Sequence, residues 1–239
     1  VDVGELLPLT ATKAGGGTLA WSADDAACTF NDASSETPTV TPGLDAGQTC
    51  EITVTETGGS APSTDSITIS VVRADQPTLT MSSANTIGYR GSLELSTSGG
   101  SGDGSVTLNV SGTGCSLSGT TLSVSAAADK DDACTVSATK AESTNYNEAT
   151  ATAVFTVVKA TPVFDAYAAV SAQVGSADVV LDDPTLQVNG AVFSTGTFSW
   201  SSADAAVADV TVKTLSFVGV GSTTLTATFT PTDSTNYDT

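Results

Sequence analysis

One feature constrains this chain more than any other: its sequence repeats. Val71-Val72-Arg73-Ala74-Asp75-Gln76-Pro77 returns as Val157-Val158-Lys159-Ala160-Thr161-Pro162, an offset of 157 − 71 = 86 residues. Ser143-Thr144-Asn145-Tyr146 returns as Ser234-Thr235-Asn236-Tyr237, 234 − 143 = 91 residues on. The four cysteines recur at 115 − 28 = 87 and 134 − 50 = 84. Four markers thus agree on a unit of 84 to 91 residues in a chain of 239. Self-similarity at a fixed period marks an array, and a unit of this length is the size of one small β-sandwich. The expected modules are 1–75, 76–160 and 161–239.

The repeated segments read as strands. Cys50, Ile52 and Val54 alternate with Glu51, Thr53 and Thr55; Cys134, Val136 and Ala138 alternate with Thr135, Ser137 and Thr139; Leu225, Ala227 and Phe229 alternate with Thr224, Thr226 and Thr228. Period two means one buried face and one wet face. Ile67, Ile69 and Val71 continue the pattern, whereas Ala151 to Val158 is apolar for longer and is expected to be covered on both faces. Thr and Val suit a pleated, half-buried surface. Gly15-Gly16-Gly17, Gly58-Gly59 and Gly99 to Gly104 punctuate the strands as turns. Pro77 and Pro162 follow the module boundaries, where an extended link is favoured. Such short links predict limited hinge motion.

Trp21 and Trp200 occupy matching places in modules one and three, with Leu108 or Asn109 in module two. A Trp on a central sandwich strand is expected in the core; the competing reading is a ligand-stacking surface. Each cysteine pair is internal to its repeat, and Cys50 and Cys134 are in phase with a buried face. Disulfides Cys28–Cys50 and Cys115–Cys134 are therefore expected, which implies an oxidising compartment. Module three offers Val207 and Leu225 at the matching positions. A structural staple tolerates that apolar replacement; a redox or metal site does not.

Phe155-Thr156-Val157-Val158-Lys159-Ala160-Thr161-Pro162 resembles the boundary between bacterial immunoglobulin-like (Big-type) tandem repeats, and Thr228 to Tyr237 resembles the run before the last strand of such a repeat. The resemblance covers nearly the whole chain and is thinnest in module one, where Thr57 to Asp65 stands in place of the Asn-Tyr turn. It implies an all-β fold of three tandem immunoglobulin-like Greek-key β-sandwich modules in an elongated array. It also implies a large bacterial surface protein or adhesin, or a phage structural protein. Gly4-Glu5-Leu6 aligns with Gly91-Ser92-Leu93, so module one is expected to lack its first strand, and module three its last. Completion of the ends by a neighbouring copy, giving a homopolymer by strand donation, is one expectation from this.

Charge and composition narrow the function. The formal charge is 7 − 26 = −19, so nucleic acid and anionic membrane surfaces are poor partners. No apolar run is long enough to span a bilayer as a helix. The chain contains no histidine, so no Ser/His/Asp or Cys/His site is available. Lys13, Lys140 and Lys159 fall in turns or junctions. The pairs Asp24-Asp25, Asp131-Asp132 and Asp182-Asp183 lie beside turn signals, where Asp bonds the local backbone. Calcium is the remaining metal reading, with Asp129, Asp131 and Asp132 as the densest cluster and Asp75 and Asp165 near the two junctions. The sequon Asn109-Val110-Ser111 falls in an expected strand and reads as chance.

The expected role is a non-catalytic extracellular stalk or filament segment at a bacterial cell surface, whose partners are the neighbouring repeats. The alternative is an adhesive module for glycan or protein, or a phage decoration domain. The best adhesive candidate is the long insertion from Asp182 to Gly196, which carries Phe193.

Overall fold

The computed structural model describes residues 1–13, 15–59, 62–82 and 85–239. Among them the regular structure is all β. The first set of strands is β1 (Leu7–Pro8), β2 (Thr18–Ala23), β3 (Cys28–Phe30), β4 (Thr39–Pro42), β5 (Thr49–Thr57) and β6 (Ser63–Ser70). They form two sheets, β1-β4-β3 and β2-β5-β6. The chain therefore alternates between sheets, which is the immunoglobulin-like Greek-key order.

The second set is β7 (Thr80–Ser82), β8 (Thr86–Gly88), β9 (Ser92–Glu94), β10 (Ser96–Ser98), β11 (Val106–Ser111), β12 (Cys115–Ser118), β13 (Thr121–Val124), β14 (Ala133–Lys140) and β15 (Ala149–Val158). Its sheets β12-β13-β9 and β11-β14-β15-β8 repeat the first pattern, and β7 pairs with β10. The third set is β16 (Val163–Phe164), β17 (Val179–Val180), β18 (Leu186–Val188), β19 (Ala191–Phe193), β20 (Gly196–Ser202), β21 (Ala208–Thr211), β22 (Thr214–Phe217) and β23 (Leu225–Pro231). The sheet β17-β22-β21 and the pair β20-β23 repeat it once more, with a further sheet β16-β18-β19.

By packing, the chain forms two compact units. One comprises Val1–Met81, Thr97–Thr107 and Ser137–Thr152; the other comprises Ser82–Ser96, Leu108–Val136 and Ala153–Thr239. In the first unit the core gathers Trp21, Val40, Leu44, Ile52, Ile69 and Val71 around the Cys28–Cys50 disulfide. Burying each large apolar side chain contributes roughly 1.5–3 kcal/mol. The indole of Trp21 is buried and its Nε1–H donates to the Ser35 carbonyl at 2.9 Å. In the second unit the Cys115–Cys134 disulfide ties β12 to β14, and Leu181, Ala208 and Leu215 form a core cluster against which Trp200, Val210, Phe217 and Leu225 pack.

Several expectations change. Ile67 is 53% exposed although Ile69 and Val71 are buried. It borders a groove of about 300 Å³ lined also by Pro8, Leu9, Trp21, Ile52 and Val54, so its stretch of β6 has no layer over it. β15 is covered on one face only: Phe155 and Val157 are buried while Val154 and Val158 are exposed. Glu56 is the buried residue that continues the inward phase of β5, where its carboxylate accepts the Gly15 and Gly17 N–H groups at 3.3 and 3.1 Å. In the third set the ladder pairs Ala208 with Phe217, where Cys28 pairs with Pro42 and Cys115 with Val124. Ala208, not Val207, thus takes the cysteine position. Trp200 to Ala208 is 208 − 200 = 8 residues where Trp21 to Cys28 is 28 − 21 = 7, so the turn before β21 carries one extra residue; just beyond the pair, the Val207 carbonyl accepts both the Val218 and Gly219 N–H groups at 3.0 Å. Of the stretch Thr57 to Asp65, residues 60–61 lie outside the described residues.

Candidate functional site

The repeated motifs meet at two junctions, one in each unit. At the first, the linking residue Ala74 forms a parallel bridge with Tyr146. Its N–H donates to the Asn145 carbonyl at 3.0 Å, and its carbonyl accepts the Asn147 N–H at 2.9 Å. At the second, Ala160 bridges Tyr237 in the same way: its N–H reaches the Asn236 carbonyl at 2.9 Å and its carbonyl takes the Asp238 N–H at 3.0 Å.

The Asn side chain completes each junction. Asn145 Oδ1 accepts the Ala46 N–H at 2.9 Å, and its Nδ2 donates to Asp45 Oδ1 at 2.7 Å. Asn236 Oδ1 accepts the Lys130 N–H at 2.7 Å, and its Nδ2 donates to Asp129 Oδ1 at 3.0 Å. The donor and acceptor of one amide thus engage a main-chain donor and a carboxylate of the preceding repeat. A side-chain amide can do both at once, with its donor and acceptor on separate atoms. Asn236 is 4% exposed and also donates to Asp233 Oδ2 at 2.9 Å.

The loops that receive the Asn are held alike. The Gly47 N–H donates to the Val71 carbonyl at 2.8 Å, and the Asp131 N–H to the Val157 carbonyl at 2.9 Å. The returning bonds run from Val71 N–H to Gln48 and from Val157 N–H to Asp132, at 3.0 and 2.8 Å. Gly47 and Asp131 both adopt positive φ, 90° and 77°. Asp tolerates this region better than most residues because its short side chain can bond locally.

The periphery differs in chemistry but keeps its complementarity. At the first junction Asn147 Nδ2 donates to Asp75 Oδ1 at 2.9 Å; at the second Thr161 Oγ1 donates to Asp238 Oδ2 at 3.0 Å. Donor and acceptor have changed sides. Arg73 pairs with Glu142 at the first junction, while Lys159 Nζ donates to the Ser234 carbonyl at 2.7 Å at the second. Gln76 adds bonds to the Asn147 and Ala141 carbonyls at 2.6 and 3.2 Å.

The second junction is sealed by aromatic rings. Tyr89 meets Tyr237 edge to face at 5.2 Å between centroids, and Phe193 lies 4.4 Å from Tyr237 and 5.8 Å from Phe229. Burial, with Tyr237 and Asp233 nearby, pushes the Tyr89 phenol above its usual value. Phe193 arrives on the hairpin β18–β19, whose two-residue turn is Asn189-Gly190 with φ of 52° and 78°, the turn favoured by strand twist. Asn189 Nδ2 donates to the Tyr89 carbonyl at 3.2 Å. Within the Asp182 to Gly196 insertion, the hairpin therefore packs against this junction through Phe193 and Asn189.

The calcium candidates are engaged separately. Asp129 holds Asn236, and its N–H donates to Asp132 Oδ2 at 2.9 Å. Asp131 pairs with Lys130 at 2.6 Å, Asp75 holds Asn147, and Asp165 Oδ1 accepts from Gln187 Nε2 at 2.9 Å. Among the described residues no three His, Cys, Asp or Glu side chains gather as a metal cluster. In the sequence, Ser-Thr-Asn-Tyr stands out as a repeat and a turn, with no sign of the Asn clasp. The overlooked signal is Asp45 and Asp129, 129 − 45 = 84 residues apart, the same offset as Cys50 and Cys134.

No protein-family model matches the chain, and no curated protein matches it. Among solved structures it overlaps Drosophila N-cadherin EC1-3, with 10% identity over 97% of this chain and 89% of that one and a TM-score of 0.37. It also overlaps a chimeric titin Z1Z2 functionalized with an exogenous decorin peptide, with 18% identity over 66% and 90% and a TM-score of 0.30. Sidekick-1 immunoglobulin domains 1-4 give 14% identity over 96% and 72%, with a TM-score of 0.25. Overlaps this loose carry no argument about kinship or role.

Proposed function

We propose that this chain is a non-catalytic structural segment, a stalk or filament part, of a bacterial cell-surface or secreted repeat protein. Its modules are 1–75, 76–160 and 161–239, and their partners are one another. The observation that carries this reading is the Asn clasp, made twice with the same two-point geometry. A clasp of this kind suits a chain that holds successive modules in one orientation. Two disulfides are in keeping with an oxidising, extracellular location, and the lack of histidine is in keeping with a non-catalytic role.

The test is small-angle scattering on the whole chain and on Asn145→Ala/Asn236→Ala. Loss of the clasps is expected to broaden the distance distribution while circular dichroism stays β-rich. An unchanged distribution would remove the clasp from the account of rigidity and leave the stalk reading without support.

A further inference from the structure

The two junctions share the Asn clasp but not the loop that meets the tyrosine beside it. The Ala141 N–H donates to the Ser105 carbonyl at 2.9 Å, and the Thr232 N–H to the Thr195 carbonyl at 3.1 Å. The offsets are 232 − 141 = 91 and 195 − 105 = 90, so Asp103 stands where Phe193 stands, each two residues before the accepting carbonyl. At the second junction Phe193 closes on Tyr237 at 4.4 Å between centroids. At the first, the loop brings Gly102 and Asp103 beside Tyr146. Gly102 has φ of 71°, and a Cβ on it would fall 2.4 Å from Ser143 Oγ and 3.0 Å from Tyr146 Cδ2. Glycine therefore lets the backbone lie against Ser143 and Tyr146 with no side chain of its own to cover the ring.

What remains is an open cavity of about 440 Å³, lined by Asp45, Gly102, Asp103, Ser143, Thr144 and Tyr146 among others. Small-ligand sites span about 300–1,000 Å³. Asp45, Asp103 and Thr144 are exposed, while Ser143 and Tyr146 are half-buried. The clasp engages one oxygen of Asp45, Oδ1, through Asn145. Two carboxylates and two hydroxyls thus border one aromatic ring. Carboxylate oxygens accept charge-assisted bonds from hydroxyl donors, and Ser and Thr hydroxyls donate or accept as the partner requires. Tyrosine adds an apolar face with a polar end. A sugar has the matching chemistry: hydroxyls around its rim and C–H groups across its face. Among the described residues no Lys or Arg lines the cavity, and the chain carries a charge of −19, so an acidic sugar is disfavoured.

We propose that this cavity at the first junction binds a neutral saccharide. The sugar lays its C–H face on Tyr146, and its hydroxyls bond to Asp45, Asp103, Ser143 and Thr144. The adhesive surface expected on the insertion of module three thus falls on the first junction, where the tyrosine has no Phe193 over it. This inference stands apart from the stalk reading, and failure of the scattering test leaves it standing.

The probes are the methyl glycosides of glucose, galactose, mannose and N-acetylglucosamine. Each is added to the full chain up to about 50 mM, which covers millimolar dissociation constants. At least one is expected to move the NMR amide signals of residues 102–103 and 143–146 in a saturable way. Asp103→Ala is expected to weaken that binding at least about tenfold, by loss of the charge-assisted bonds. Asp103→Phe supplies the ring that Phe193 brings to the second junction and is expected to abolish it. Unmoved signals elsewhere in both variants report an intact fold. Methyl glucuronide and putrescine are the charged controls, and neither is expected to match the best neutral sugar. No movement at those residues with any of the four sugars, or equal binding by the Asp103→Ala chain, would overturn the proposal. Putrescine binding more tightly than every sugar would overturn it in favour of a cationic ligand, and a glucuronide binding as tightly would remove the preference for neutral sugars on which it stands.

Discussion

Asn145 and Asn236 each join two repeats with one side chain, and the two differ in burial. Asn236 is enclosed and faces two carboxylates, Asp129 and Asp233. Asn236→Ala would leave the Lys130 N–H without its acceptor, at a cost of about 1–3 kcal/mol in denaturant unfolding. Asn236→Asp should cost more, because a third carboxylate would enter the site, and the excess should shrink when the melt is repeated at pH 4. Asn145→Ala, at a half-buried site, should cost less than Asn236→Ala. Tyr89 gives a pH signature. Its folded-state value is raised by burial and by nearby Tyr237 and Asp233, so folding favours the neutral phenol. That contribution is fully present below about pH 10, the usual value for tyrosine, and is lost as pH rises through the folded-state value. Stability measured by chemical denaturation should therefore fall above about pH 10, and Tyr89→Phe should flatten the fall. None of this is visible from Asn-Tyr as a motif, since an amide's partners lie about a hundred residues away.

Strand alternation was legible because burial on one face imposes period two on the sequence. Cys134, Val136 and Ala138 are fully buried, in phase as written. The reading failed where neighbours, not pattern, decide burial. Ile67 alternates like Ile69 yet lies open, and Val154 belongs to an apolar run yet faces outward. The hairpin β18–β19 carried a plain local signal, Asn189-Gly190, but its use against the second junction depends on packing. The disulfides span 22 and 19 residues of sequence. In the chain-entropy picture each stabilises by about 3 kcal/mol. Denaturant melts of each unit's signal with and without reductant should show a loss of that order for both. The third set has Ala208 and Leu225 in place of a bond of its own, so reductant should reach it only through the packing it shares with Cys115–Cys134 in the second unit.

For the whole molecule, a charge of −19 with only seven basic residues makes self-repulsion the dominant long-range term. Salt screens it over about 10 Å at 0.1 M. The melting temperature should thus rise from ~10 mM to ~500 mM sodium chloride; a fall would mean that the ion pairs outweigh the repulsion. The sequence by itself determined the all-β class, the repeat period and the cysteine partners, because these rest on local alternation and on spacing that recurs. Only the tertiary structure decided what the repeated Asn does, which residue replaces the cysteine in the third set, and which apolar residues lie open. Those outcomes depend on groups brought together from distant parts of the chain, and a one-residue shift in a ladder is enough to change them.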